Sequence, residues 1–188
     1  MGHRKSRKDA ILEAAADLVQ EKGAVHLTLD AVSARANVSK GGLLYHFRTK
    51  EALLQAMVSR LEETFTRDRE TQLATLKKSP ARTLKAHIIS MGTMRQKEAK
   101  SVAAALLAAG SHDPKLLDDS RRFYYEPINK EIEAAGISHA FVSVIVSAVK
   151  GMLLSEMLGT ATYTHKERSA FIEEILRLIE EEEARSCK

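Results

Sequence analysis

The chain has 188 residues, 44% of them apolar and 29% charged, which is enough to bury a full core as one domain or as a small domain joined to a larger one. Its formal charge of +4 is confined to the first fifty residues, where nine Lys and Arg face five Asp and Glu; beyond them 20 cations and 20 anions cancel, so a polyanion partner is expected at the N-terminal quarter and a neutral body elsewhere. The lone cysteine, Cys187, excludes an intrachain disulfide and CxxC metal or redox chemistry, and a cytoplasmic location is expected.

The first ten residues are basic, but Glu13 and Asp17 interrupt the apolar run that an export signal needs. Ser6, with Asp9 three residues on, is placed to cap a first helix that carries Ile11, Ala15, Leu18 and Val19 on one face and stops at Gly23. Thr28 caps a short second helix with Leu29, Val32 and Ala36 inward and Asp30 near its positive end. Asn37 suits a left-handed turn, Val38 plugs the corner, and Ser39 caps a third helix running to about Tyr45. Helix, tight turn and helix thus follow within some twenty residues.

Thr49 caps a long fourth helix in which Leu53, Met57, Leu61 and Phe65 recur at helical spacing. Ser79 and Pro80 open the next, with Leu84, Ile88 and Met91 on one side. The stretch "SVAAALLAAG" predicts a helix ended by Gly110, and Asp113 with Pro114 starts another, in which Pro127 predicts a kink near Phe123 to Pro127. From Ser138 to Gly159 nearly every face is apolar, so this helix must be covered all round; its apolar centre, Ala140 to Val149, is too short to span a membrane before Lys150 interrupts it. Thr164 and Glu167 form a capping box ahead of Phe171, Ile175, Leu178 and Ile179, and "EEEE" at 180–183 reads as a solvated, fraying end. No alternating strand pattern occurs. The predicted fold is all-α with about nine helices: residues 1–50 as a three-helix helix-turn-helix domain, and 51–188 as a helical ligand-binding and dimerisation domain.

Within "NVSKGGLLYHFRTKEALL" two glycines, Gly41 and Gly42, stand in the first turn of the third helix, although each glycine costs roughly 1 kcal/mol of helix stability relative to alanine. In a helix-turn-helix the second helix enters the DNA major groove by its N-terminal end, and missing side chains there admit a close approach of backbone to duplex. Lys40 can then donate to guanine or phosphate, Ser39 can cap while bonding phosphate, and Leu43 can touch a thymine methyl. Tyr45 and His46 suit the sugar-phosphate walls, Phe47 suits the core, and the N-terminus of the fourth helix with Lys50 makes an anion site. The basic "RKSRK" at residues 4–8 is either a solvated tail or an arm on the DNA backbone or in the minor groove.

The segment "ILEAAADLVQEKGAVHLTLDAVSARANVSKGGLLYHFRTKEALL" closely resembles the DNA-binding domain of TetR-family transcriptional regulators. The likeness covers about sixty residues and rests on three features together: the spacing of Gly23 and Thr28, the A-x-V-S turn at Ala36 to Ser39, and Y-H-F followed by K-E-A-L. The resemblance implies an all-helical homodimer with a variable ligand-binding body, its last two long helices forming a four-helix dimer interface. It assigns DNA contacts to Thr28, Ser39, Lys40, Gly41, Gly42, Tyr45, His46 and Lys50. Beyond residue 60 the likeness is architectural, so no effector identity carries over.

Met57, Leu61, Phe65, His87, Met91, Met94, Phe123, Tyr124, Tyr125 and Ile128 are candidates to line a cavity for a small-molecule effector, with His87, Arg95 and Glu126 as polar anchors. Phe141, Ile145, Val146, Val149, Met152 and Leu153, facing Phe171, Ile175 and Leu178, are expected at a subunit interface. His87, His112, His139 and His165 lack the spacing of a helical zinc site, and neither metal nor cofactor is expected. No nucleophile elbow, P-loop or nucleotide fingerprint points to an enzyme. The expected function is a ligand-responsive regulator, a repressor, that binds double-stranded DNA at a palindromic operator as a homodimer and has no membrane partner. The rival reading is an architectural DNA-binding protein without an effector.

Overall fold

The computed structural model describes the backbone of residues 6–94, 96–157 and 159–186, with side chains described outside 95–103, 119–125, 127, 135 and 157. Among the described residues there are nine α-helices and no strand: α1 (Arg7–Lys22), α2 (Leu29–Arg35), α3 (Lys40–His46), α4 (Lys50–Thr75), α5 (Arg82–Gly92), α6 (Gln96–His112), α7 (Asp118–Ala135), α8 (His139–Met157) and α9 (His165–Ser186). Short 3-10 turns at Ala24–His26 and Pro114–Leu117 precede α2 and α7. Gly110 does not end its helix, which continues to His112, and α7 runs through Pro127.

The chain packs as two compact units, Met1–Glu62 with Lys100–Ser120, and Glu63–Ala99 with Arg121–Lys188. The first unit is built on one buried cluster: Ile11, Leu12, Ala15, Leu18 and Val19 of α1, Val32 of α2, Leu43 of α3, Phe47, and Leu53, Leu54 and Met57 of α4. Ala104, Ala105 and Ala108 of α6 close it, so a segment distant in sequence completes the core of the helix-turn-helix. Four helix starts are capped by hydroxyls, Ser6, Thr28, Ser39 and Thr49, each accepting at 3.1 Å from the backbone N–H three residues on. Gly23 (φ +86°) and Asn37 (φ +53°) supply the left-handed backbone that lets α1 and α2 turn.

In the second unit α5 packs against α8 and α9. Helix α5 begins at Arg82 rather than at Ser79, and it has no side-chain cap of its own. Its unsatisfied N–H groups go instead to acids from other helices: Ala81 N–H donates to Glu183 of α9 (2.5 Å), and Thr83 N–H to Glu131 of α7 (2.6 Å). Glu183 also pairs with the half-buried Lys85 (2.5 Å). The acidic run at 180–183 is therefore no fraying end; its last carboxylate holds the start of α5. Where Gly92 closes α5, a Cβ would stand 2.2 Å from Ile172 Cδ1, so only glycine admits that contact with α9.

Helix α8 is by length and composition able to cross a membrane, with mean hydropathy 1.3 over His139–Glu156. Its packing assigns it otherwise: Ile145, Val149 and Met152 are buried in the core of the second unit. Moreover Glu156, itself buried, pairs with Arg168 of α9, whose other N–H groups donate to the carbonyls of Gly92 (3.5 Å), the last residue of α5, and Met94 (2.5 Å) just beyond it. Removing one partner of such a pair leaves an uncompensated buried charge. Arg168→Met should therefore destabilise the protein by about 3–5 kcal/mol in urea unfolding, and Glu156→Leu added to it should restore most of the loss.

Candidate nucleic-acid interface

The geometry of α3 follows from one residue. Leu43 is wholly buried, and two residues along a helix turn through ~200°, so Gly41 and Tyr45 must lie on the opposite side, facing out. Tyr45 is 84% exposed, its ring set edge-on to His46 with centroids 5.1 Å apart. Thr28, Ser39, Lys40 and Gly41 are exposed; Gly42, His46 and Lys50 are half-buried; Phe47 is buried as expected. Leu43 corrects the sequence reading: its side chain fills the core that pins α3 and does not reach out to a thymine methyl. A Cβ built on Gly41 meets no atom within 4 Å, and one on Gly42 meets only the capping Ser39 Oγ at 3.2 Å. Packing within the chain gives no reason for a glycine at 41.

An ion pair and a histidine–carboxylate hydrogen bond stand at this surface that no spacing rule anticipates, because their partners are ten and sixty-one residues apart. Lys40 Nζ lies 2.8 Å from Asp30 Oδ1, joining the first turns of α2 and α3. His112 Nε2 lies 2.6 Å from Glu51 Oε1, joining the last turn of α6 to the first turn of α4 beside Lys50. The backbone N–H of Glu51, then His112 and Thr49, hold the Glu51 carboxyl below its ordinary range. Arg35 is held by Glu21 through both terminal guanidinium nitrogens, and Arg60 binds the carbonyl of Asp9 and the carboxylate of Glu13, tying α4 to α1. Arg4 and Lys5 of the basic arm lie outside the described residues.

The residues expected at a subunit interface divide. Ile145, Val146, Val149, Met152, Leu153 and Ile175 are buried within the chain itself, because the face of α8 and α9 that carries them packs on this unit's own core; that part of the sequence reading is corrected. Phe141, Phe171 and Leu178 are half-buried. What α8 turns outward is another stripe, Ser143, Val144, Ser147, Gly151 and Leu154, in which Val144 is 67% and Leu154 47% exposed. Of the cavity candidates, Met57 belongs to the core of the first unit and Leu61 is buried on the same stretch of α4. Phe65, His87, Met91, Met94 and Ile128 lie in the second unit, all buried except the half-buried Phe65, and Glu126 is exposed. Arg95 and the side chains of Phe123, Tyr124 and Tyr125 lie outside the described residues.

Residues 11–57 match the family described as bacterial regulatory proteins, tetR family, and residues 81–180 match the tetracyclin repressor-like C-terminal domain. Among solved structures, a transcriptional regulator from Rhodococcus sp. Rha1 superposes with a TM-score of 0.71 at 20% identity, over 93% of this chain and 96% of that one. A TetR-family member from Streptomyces coelicolor A3 gives 0.68 at 23% identity, over 93% and 98%. The multidrug binding protein EbrR, solved with ethidium, gives 0.63 at 23% identity, over 94% and 99%. At these identities the likeness is one of fold. Among curated proteins none matches.

His87 carries a measurable consequence. It is 4% exposed, and burial first, then the Arg69 and Lys150 charges, push its pKa down from 6.5 to about 4. The folded ring stays neutral while the unfolded one takes up a proton below about pH 6.5, so its contribution to stability is intact above that pH and is lost as pH falls toward 4. Between pH 7 and pH 5 this residue should cost about 2 kcal/mol of unfolding free energy. Urea titrations at the two pH values would show a flatter dependence in His87→Leu.

Proposed function

The chain belongs to the TetR family of bacterial regulatory proteins, and on that premise we propose that it is a cytoplasmic, ligand-responsive DNA-binding repressor acting on a palindromic operator as a homodimer. The observation that carries the DNA-binding reading is Gly41: an exposed helical glycine, opposite the buried Leu43, with open space where a Cβ would stand. Such a residue weakens the free helix and serves only a partner that comes close to its backbone. Residues 1–50 then form the DNA-binding part, with contacts from Thr28, Ser39, Lys40, Gly41, Gly42, Tyr45, His46 and Lys50, and residues 51–188 bind the effector and the second subunit. The capping hydroxyls of Ser39 and Thr28 accept from N–H groups and keep their own O–H for a phosphate oxygen.

Two such surfaces read a palindrome when a dimer spaces its recognition helices about one DNA turn, ~34 Å, or a multiple of it. The outward stripe of α8 supports a dimer face: Ser147 and Gly151 are small enough to let a second helix approach, and Val144 and Leu154 are apolar surface that remains to be buried. For the effector, the apolar second unit around Phe65, Met91, Met94 and Ile128 supports a small, largely apolar molecule, and a protein of this fold, EbrR, is known with ethidium bound. Helix α4 supplies residues to both units, Leu53 and Leu54 to the first and Phe65 to the second, which makes it the element through which we propose that an effector alters the DNA face.

Gly41→Ala should leave folding intact or raise stability by up to ~1 kcal/mol, since alanine is the better helix former. It should weaken binding in fluorescence anisotropy by tenfold or more, against a duplex selected by the wild-type protein from a random-sequence library. Undiminished affinity would remove the close-approach argument. For the dimer, Val144→Asp places a charge on exposed surface and should change the stability of the folded chain by no more than ~0.5 kcal/mol. Sedimentation velocity should nevertheless show it as a monomer at concentrations where the wild type is a dimer; an unchanged dimer would move the interface elsewhere.

A further inference from the structure

We propose that Asp30 is a positioning residue for sequence readout: it holds Lys40 as an oriented donor toward the base edges and keeps it from serving as a general phosphate anchor. The inference rests on the reading of α3 as the recognition helix. Its observation is the 2.8 Å pair between Asp30 Oδ1 and Lys40 Nζ, formed by side chains that are both well exposed. A lysine is ordinarily a point charge on a flexible four-carbon stem, able to follow whichever phosphate comes near. This one starts from the first residue of α3, and its ammonium meets a carboxylate whose own helix is fixed. Thr28 caps α2, Val32 is wholly buried, Ser33 Oγ donates to the Asp30 carbonyl at 2.9 Å, and Arg35 is held by Glu21.

An ammonium has three N–H donors. With one spent on Asp30, two remain, and a pair of acceptors such as guanine O6 and N7 can use both without breaking the ion pair. A phosphate approaching the same ammonium meets the Asp30 carboxylate as a like charge. Asp30 therefore lowers the affinity for DNA in general while leaving that for the right base step comparatively intact. The ratio of specific to random binding rises.

The test uses the intact 188-residue chain, with a duplex selected by the wild-type protein from a random-sequence library and a random duplex of equal length, titrated between 50 and 200 mM salt. Asp30→Asn should tighten binding to the random duplex several-fold and steepen its salt dependence by up to about 0.9 in log–log slope, the signature of one added phosphate contact. The selected duplex should gain less, so the ratio of the two affinities should fall about fivefold or more, whereas Asp30→Glu, which keeps the carboxylate, should hold it within about twofold. In a Lys40→Ala background Asp30→Asn should no longer change the ratio. Equal gains on both duplexes would reduce Asp30 to a mere surface charge and overturn the proposal, as would a loss of ratio that persists without Lys40. If Lys40→Ala itself leaves both affinities untouched, the DNA reading of Lys40 falls along with the proposal. If Lys40→Ala loses selectivity while Asp30→Asn keeps it, only the positioning role falls. Melting curves of all variants should coincide with the wild type, since the cap of α2 is on Thr28 and not on Asp30.

Discussion

A helix of seven residues makes barely two turns and does not persist in water on its own hydrogen bonds. Both helices of the helix-turn-helix are of that length, so their existence depends on what they bury. Val32 and Leu43 are the buried anchors, and they insert into a cluster whose other walls are α1, the start of α4 and the alanines of α6. Each such side chain taken from water contributes roughly 1.5–3 kcal/mol. The outward face of α3 inherits its place from this insertion: with Leu43 inward, Gly41 and Tyr45 have nowhere to go but out. The same insertion explains why the alanines matter, since a small residue at 104, 105 and 108 lets α6 lie close enough to close the cluster.

Polar chemistry then sets the edges of that face. The hydroxyls of Thr28 and Ser39 resolve two demands with one atom, because an Oγ that accepts from a backbone N–H still has a proton to offer outward. On the proposed DNA-binding reading, structure and recognition fall on these same two residues. Acids within hydrogen-bond reach of the basic groups, Asp30 beside Lys40 and Glu51 beside His112, shape a field that net charge alone would describe as simply positive.

The second unit is framed differently. There α5 is fixed at both ends by side chains from other helices: Glu183 and Glu131 take the N–H groups at its start, and Arg168 takes carbonyls at its finish. Between these polar ties its buried face is apolar, through Leu84, Ile88 and Met91, with the neutral His87 among them. Such a frame is held at its ends by directional bonds and filled in its middle by methionine and aliphatic side chains, which can repack while the ends stay fixed.

Local chemistry determined much of this in advance. Ser6, Thr28, Ser39, Thr49 and the Thr164–Glu167 box cap where the sequence predicts, Asn37 takes its left-handed turn, and Phe47 is core. Each of these depends on neighbours within four residues, and such neighbours are written side by side in the chain. Composition and helical period also settled the all-α class. What only the tertiary structure decided is which face of a two-faced helix is covered and by what. Leu43 looked able to read a base, and Val146, Val149 and Ile175 looked able to meet a partner subunit, because periodicity shows that a face is apolar and is silent about which apolar face it meets. The run at 180–183 looked solvated because nothing near it in sequence needed an acid, whereas α5, about a hundred residues earlier, had uncapped N–H groups to satisfy. Pairing across such distances is chosen by the packing of the whole chain, and no local rule of charge or spacing contains it.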